Sequence, residues 1–162
     1  MKFDEVYDEY ADTVYSFLRF RLRDVHLAED IFQDTFVAVH ANLERLATVD
    51  SPKAWILTIA RRKMIDRLRQ IRQEEVLDRQ DQMRVSVISP EQRIVEQLDL
   101  DHMLDRLDDV SKIIIYGLYV ERLTCKELAD MLELPEGTVK SKSYAARQKM
   151  KRWFERGDRQ DG

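Results

Sequence analysis

The sequence holds a single cysteine, Cys125, with three prolines and four glycines in 162 residues. One thiol excludes an intrachain disulfide framework and a cysteine-based zinc cluster. At the start of a helix beside Leu123, it reads as a packed thiol. So few turn formers argue against an all-β sandwich or barrel, whose many tight turns need Gly and Pro. His26, His40 and His102 are scattered at no metal-ligand spacing, and no histidine, serine or cysteine sits in a recognisable nucleophile setting. The expectation is a protein that is not an enzyme and uses no cofactor or metal. No apolar run reaches the roughly 20 residues of a membrane span, and Asp4, Glu5, Asp8 and Glu9 stand where a signal peptide would have an apolar core. The protein is expected to be soluble and cytoplasmic.

Charge is plentiful but segregated, so the net −4 hides the pattern. From Arg61 to Arg72 the bases are Arg61, Arg62, Lys63, Arg67, Arg69 and Arg72 against the single acid Asp66. From Thr138 to Arg152 they are Lys140, Lys142, Arg147, Lys149, Lys151 and Arg152, with no acid. Between these stretches, Glu74 to Asp109 carries eleven acids against Arg79, Arg84, Arg93 and Arg106. Two basic surfaces are thus separated by an acidic segment. Adjacent carboxylates such as Glu29 and Asp30, or Asp108 and Asp109, point in different directions on a helix and read as solvated faces or caps.

Apolar spacing predicts an all-α chain of two small helical domains joined by a flexible linker. Phe3, Val6, Tyr7, Tyr10, Val14, Phe17 and Leu18 recur at three and four residues on one stripe of a first helix of about twenty residues. A second helix is expected from about Leu27 to Leu46, with Ile31, Thr35, Val39 and Leu43 inward and Phe32, Phe36 and Val37 widening that face. A face this wide must be covered from more than one direction. Ser51 and Pro52 supply an N-cap and first residue for a third helix, whose stripe is Trp55, Ile56, Ile59, Ala60, Met64 and Leu68. The N-terminal aromatics read as core. Residues 1–73 form the first expected domain and 74–89 the acidic linker.

The second domain is expected over 90–157. Ser89, Pro90 and Gln92 resemble a capping box, followed by Ile94, Leu98, Asp101, Leu104 and Leu107 on the inner side. Ile113, Ile114 and Ile115 suit either a strand or a buried helix, and with no partner strand in sight a helix is expected. Thr124 and Glu127 form a further capping box, Pro135 marks a turn, and a last helix runs from about Glu136 to Arg156. A capped short helix, a tight turn and a basic helix make a helix-turn-helix, whose second helix lies in the DNA major groove. Val139 fits the contact that locks the pair, and Gly137 beside the turn would permit close approach. Ser141, Ser143 and Tyr144 accompany the bases as short or hydroxylated neighbours of a duplex. On spacing alone, a solvated basic face fits the same helix.

The runs Glu127-Leu128-Ala129, Leu132 and Leu134-Pro135-Glu136-Gly137-Thr138-Val139-Lys140-Ser141-Lys142 resemble the C-terminal DNA-binding region of bacterial sigma factors of the extracytoplasmic function (ECF) group, within the sigma-70 family. In the first half, Ala28-Glu29-Asp30-Ile31-Phe32-Gln33-Asp34-Thr35-Phe36 is similar to the segment with which these factors grip core RNA polymerase. Ser51-Pro52-Lys53-Ala54-Trp55-Ile56, Ile59-Ala60-Arg61 and Ile65-Asp66 are similar to their promoter-melting segment. Both motif sets occur in the right order and together span nearly the whole chain.

The resemblance implies a sigma factor that directs core polymerase to promoters and initiates transcription. It implies core polymerase contacts at Asp30, Gln33, Asp34 and Phe36. It places a pocket for a flipped minus-ten base in the loop from Asn42 through Asp50, with Arg61, Arg62, Lys63 and Arg67 along the adjoining DNA. It implies minus-thirty-five contacts at Thr138, Lys140, Ser141, Lys142, Tyr144 and Arg147. The implied partners are bacterial core RNA polymerase, promoter DNA and an anti-sigma factor of a kind often membrane-anchored. The chain departs from the family pattern at Arg62 (usually Asn), Asp108 (commonly Pro), Lys112 (frequently Arg), Ser143 (customarily Leu) and His40 (usually Trp). A dimeric helix-turn-helix regulator or a protein-binding adaptor would share the bare helical pattern.

Overall fold

The computed structural model describes residues 2–77 and 104–160, with side chains to 156. The chain divides into two compact units, Met1–Gln92 and Arg93–Gly162. The described residues form helices joined by short turns, with no strand among them. The helix expected to open at Ser89 and Pro90, with Gln92, Ile94, Leu98 and Asp101, lies outside the described residues, as does most of the acidic linker.

In the first unit, α1 spans Phe3–Arg21, α2 Val25–Ala41, α3 Leu43–Leu46 and α4 Pro52–Leu77. The starts of α1, α2 and α4 have a local cause. At α1 the Lys2 amide donates to Glu5 Oε2 at 3.3 Å, and at α2 the Leu27 amide donates to Asp24 Oδ1 at 3.1 Å. At α4 the Ala54 amide donates to Ser51 Oγ at 3.2 Å, with Pro52 in the first helical position where no donor is required.

The single helix expected over Leu27–Leu46 is instead two. Asn42 leaves the helical region (φ −121°, ψ 28°), and its Nδ2 donates back to the Ala38 carbonyl at 2.9 Å, closing α2 in the way a local side-chain bond competes with a helix. The short α3 then turns Leu46 into the core, 1% exposed. In contrast, α4 outruns the boundary expected at Gln73. The Gln73-Glu74-Glu75 run contains no breaker and consists of good helix formers, so the helix continues to Leu77.

Helix α2 packs against both α1 and α4, and α1 also meets α4. The core is built from Val6, Val14, Phe17 and Leu18 of α1, Ala28, Ile31, Thr35 and Val39 of α2, and Ile56, Leu57, Ala60 and Met64 of α4. Each large apolar side chain taken fully from water contributes about 1.5–3 kcal/mol. Thr35 is tolerated there because its hydroxyl donates to the Ile31 carbonyl at 2.7 Å.

In the second unit, α5 spans Asp109–Tyr119, α6 Cys125–Leu132 and α7 Glu136–Gln160. The three isoleucines lie in a helix, as expected, and all three are buried because α5 meets both α6 and α7. The Thr124/Glu127 capping box is formed in both directions at 3.0 Å. Glu133 ends α6 in the left-handed region (φ 57°), and Val139, 0% exposed, locks α7 onto the helices beneath it. Helix α7 continues past the expected end at Arg156 to Gln160.

The close approach expected at Gly137 occurs at a different glycine. A Cβ added at Gly137 would meet nothing within 4 Å, whereas one at Gly117 would stand 2.6 Å from Leu128 Cδ2. Gly117 therefore lets α6 lie against α5, and Gly137 occupies an open helical position.

Candidate functional surfaces

On the first unit, the wide apolar face of α2 is only partly covered. Ile31, Thr35 and Val39 turn inward, while Phe32 and Phe36 turn toward α1 and meet an aromatic row. Tyr7 packs edge-on against Phe36 at 5.0 Å and Phe32 at 6.0 Å between ring centroids. Tyr15 meets Phe32 at 6.0 Å, and Phe3 meets the His40 ring at 5.0 Å. Such tilted and edge contacts place positive ring edges against negative faces. The N-terminal aromatics expected in the core do not all enter it: Tyr7 and Tyr15 are 39% and 37% exposed. They wall an open groove of about 700 Å³ with Phe3, Glu29, Phe32, Gln33, Phe36, Val37 and His40.

This groove adjoins the expected polymerase residues. Asp30, Gln33 and Asp34 are exposed, whereas Phe36, 4% exposed, is largely packed beneath the aromatic row. Sequence reading missed Phe3, Tyr7, Tyr15 and Val37 as surface-forming residues. The available signal was the breadth of the α2 stripe, wider than two neighbouring helices can cover.

The residues expected at the minus-ten element lie at the end of α2, before α4 and along α4. Asn42 and Asp50 are exposed, with Asn42 engaged in closing α2. Arg62 and Lys63 are exposed and Arg61 is half-buried. Consecutive residues on a helix diverge by about 100°, so these three bases spread around α4 rather than sharing one face. Arg67 instead turns toward α2, its Nη2 3.7 Å from Asp34 Oδ2 and 3.9 Å from Asp30 Oδ2.

On the second unit, Lys140, Ser141, Tyr144 and Arg147 are exposed along α7, with Thr138 and Lys142 half-buried. Ser143 belongs elsewhere. It is 3% exposed and lies on the inner side of α7 with Val139 and Ala146, so it is not one of the small residues that let a duplex approach. Lys140 Nζ lies 3.4 Å from Glu136 Oε1, one turn earlier, and Lys142 Nζ lies 3.9 Å from Asp108 Oδ2. Hydrogen bonds from Ser111 hold the Asp108 carboxyl below the usual aspartate range, with Lys142 and Lys149 acting in the same direction. On α5, the Tyr116 hydroxyl donates a hydrogen bond to Glu121 Oε1 at 3.3 Å. Burial, then the Glu121 charge, raises the Tyr116 pKa above the ordinary tyrosine range.

Fold and surfaces together define a helical protein with a helix-turn-helix in its second unit. The Sigma-70 region 2 family profile matches residues 6–74 and that of Sigma-70, region 4, residues 103–152. The chain is 28% identical to the ECF RNA polymerase sigma factor SigM of Bacillus subtilis, over 97% of this chain and 98% of that protein. It is 30% identical to the ECF RNA polymerase sigma factor SigK of Mycolicibacterium vanbaalenii, over 86% and 75% of the two chains. In fold it is similar to the sigma factor RpoE solved in complex with the anti-sigma factor NepR from Bartonella quintana, with TM-score 0.77, 19% identity and coverage of 94% and 96%. It is also similar to CnrH solved with the cytosolic domain of CnrY, with TM-score 0.64, 21% identity and coverage of 94% and 87%.

The chain belongs to the ECF sigma factors of the sigma-70 family. It is accordingly a transcription initiation factor, not an enzyme: it directs core RNA polymerase to promoters.

Proposed function

We propose that 1–73 is the polymerase-docking and minus-ten domain, 74–89 the linker, and 90–157 the minus-thirty-five domain. Asp30, Gln33 and Asp34 on α2 meet core polymerase, and Phe36 supports that face from below through the aromatic row. The segment from Asn42 through Asp50, which includes the short α3, receives an unstacked minus-ten base, and Arg61, Arg62, Lys63 and Arg67 contact the strand backbone. Holding melted DNA open requires a base pocket beside a basic track, because separating the strands sacrifices stacking. In the second domain Thr138, Lys140, Ser141, Lys142, Tyr144 and Arg147 face the minus-thirty-five duplex, the bases mainly as phosphate clamps. The linker raises the effective concentration of the second contact once the first is made and restricts the usable promoter spacing.

The observation carrying this reading is that each of two separately folded units presents its own basic helix, α4 and α7, while the first unit also presents an exposed acidic edge on α2. We further propose control by an anti-sigma factor, membrane-anchored, acting on the protein in the cytoplasm. The sigma factor RpoE, similar in fold, was solved with the anti-sigma factor NepR, and no described helix here is long and apolar enough to cross a membrane. Run-off transcription with purified core polymerase on candidate promoters tests the central reading. A transcript dependent on this protein is expected. Tight binding of a palindromic duplex by the protein alone, without transcript, would instead indicate a dimeric regulator.

A further inference from the structure

Asp30 and Asp34 are one turn apart on α2 and share a face. Between their carboxylates sits one guanidinium from another helix, that of Arg67 on α4, at 3.9 and 3.7 Å. The carboxylates are 61% and 52% exposed and the arginine 36%. The three therefore form an accessible fork rather than a buried strut. The two acids fall among the residues assigned to polymerase docking, and the arginine falls among those assigned to minus-ten DNA.

We infer that Asp30 and Asp34 are positioning residues for Arg67, and that this fork couples polymerase docking to promoter contact. The inference rests on the docking and minus-ten assignments proposed above. A protein surface that recognises two neighbouring carboxylates must present basic donors, and those donors compete with Arg67 for the same oxygens. In the free chain the carboxylates draw the guanidinium toward α2 and weaken its attraction for phosphate. When the polymerase donors take the carboxylates, Arg67 swings free to meet the DNA backbone. Linkage makes the effect reciprocal: a phosphate that draws Arg67 away leaves the acids more available to polymerase. Because the pairs are solvent-exposed, each contributes modestly, and the expected coupling is about two- to fivefold.

The test uses the full-length chain, a fluorescent single-stranded oligonucleotide and core polymerase. D30N/D34N should bind the oligonucleotide about two- to fivefold more tightly than the parent at low salt, and adding R67A should remove that gain. The triple variant compared with R67A alone measures any general gain from deleting two negative charges. A gain equally large without Arg67, or no gain with it, overturns the inference. Two further measurements separate that failure from failure of the assignments beneath it. R67A should weaken promoter complexes formed with polymerase, and D30N/D34N should weaken binding to core polymerase. If R67A leaves promoter complexes unchanged, or D30N/D34N leaves core binding unchanged, the underlying assignment and the coupling fall together. Thermal unfolding of all variants near the parent's midpoint is expected, since the three side chains lie outside the core.

Discussion

Asp108 serves two helices at once: its Oδ1 accepts from the Ser111 amide at 2.7 Å, capping α5, while its Oδ2 lies 3.9 Å from Lys142 Nζ on α7. The cap orders the fold, and the second oxygen places negative charge beside two bases of the candidate DNA surface, Lys142 and Lys149. Asparagine retains the cap and deletes the charge. D108N is expected to bind minus-thirty-five duplex about two- to threefold more tightly at low salt, with the difference shrinking as salt rises. D108A should lower stability by about 1 kcal/mol through loss of the cap. Fluorescence anisotropy across a salt series checks the first expectation, and equal affinity of D108N and parent at every salt would refute it. Because the Asp108 pKa is lowered on folding, its contribution is fully present above the ordinary aspartate range. It is lost as pH falls through the lowered value.

Gly117 on α5 and Gly137 on α7 should respond oppositely to alanine. At Gly117 the new methyl group would lie 2.6 Å from Leu128, so G117A should displace α6 and destabilise the unit by about 1–3 kcal/mol. At Gly137 the space is open, and replacing a helical glycine should stabilise by about 0.5–1 kcal/mol. Chemical denaturation of both variants decides. A G117A midpoint at or above the parent's would contradict the packing described for α5 and α6.

Tyr116 and Glu121 are each 8% exposed. Y116F removes one hydrogen bond to the carboxylate and should cost about 1–2 kcal/mol. The raised Tyr116 pKa means that the folded state retains this proton where the unfolded state has begun to release it. Its contribution is therefore complete below the ordinary tyrosine range and declines as pH rises toward the higher value. In an alkaline titration followed by ultraviolet absorbance and circular dichroism, Tyr116 should ionise with loss of helix. The parent and Y116F should differ in that late phase, and identical curves would count against the buried pair.

Val37, 69% exposed on the groove rim, tests the α2 face with little risk to the core. V37E should weaken association with core polymerase by about tenfold, as expected for a charge placed in a desolvated contact, while thermal unfolding stays near the parent's. Affinity for core within twofold of the parent's, measured by competition for polymerase, would exclude Val37 from that surface.

Much of the architecture is legible in the sequence because its causes are local. Ser51-Pro52 and Thr124 with Glu127 mark helix starts through bonds spanning three residues, and these signals survive folding unchanged. The break at Asn42 and the extension to Leu77 were less legible: the first depends on one side-chain bond, and the second on the absence of a breaker. Ser143 and Phe36 expose a different limit. Charge and family position mark a helix as functional, but its rotation about its axis is set by the partners packed against it. So it is with the aromatic row, where identical spacing is compatible with a sealed core or an open groove.

Helix α4 begins inside the core and ends outside it: Ala54, Ile56, Leu57, Ala60 and Met64 are its buried residues, with none among the thirteen positions from Ile65 to Leu77. One continuous element is thus held by tertiary packing over its first half and largely by its own backbone over the second, a length that is marginal for an isolated helix in water. Amide hydrogen exchange should therefore form a gradient, with the Ile56–Met64 backbone opening only when the unit unfolds and the stretch beyond Leu68 opening by fraying. The basic segment straddles this change. Arg61, Arg62 and Lys63 are carried by the half of α4 that packing holds rigid, while Arg69 and Arg72 lie on the half that frays.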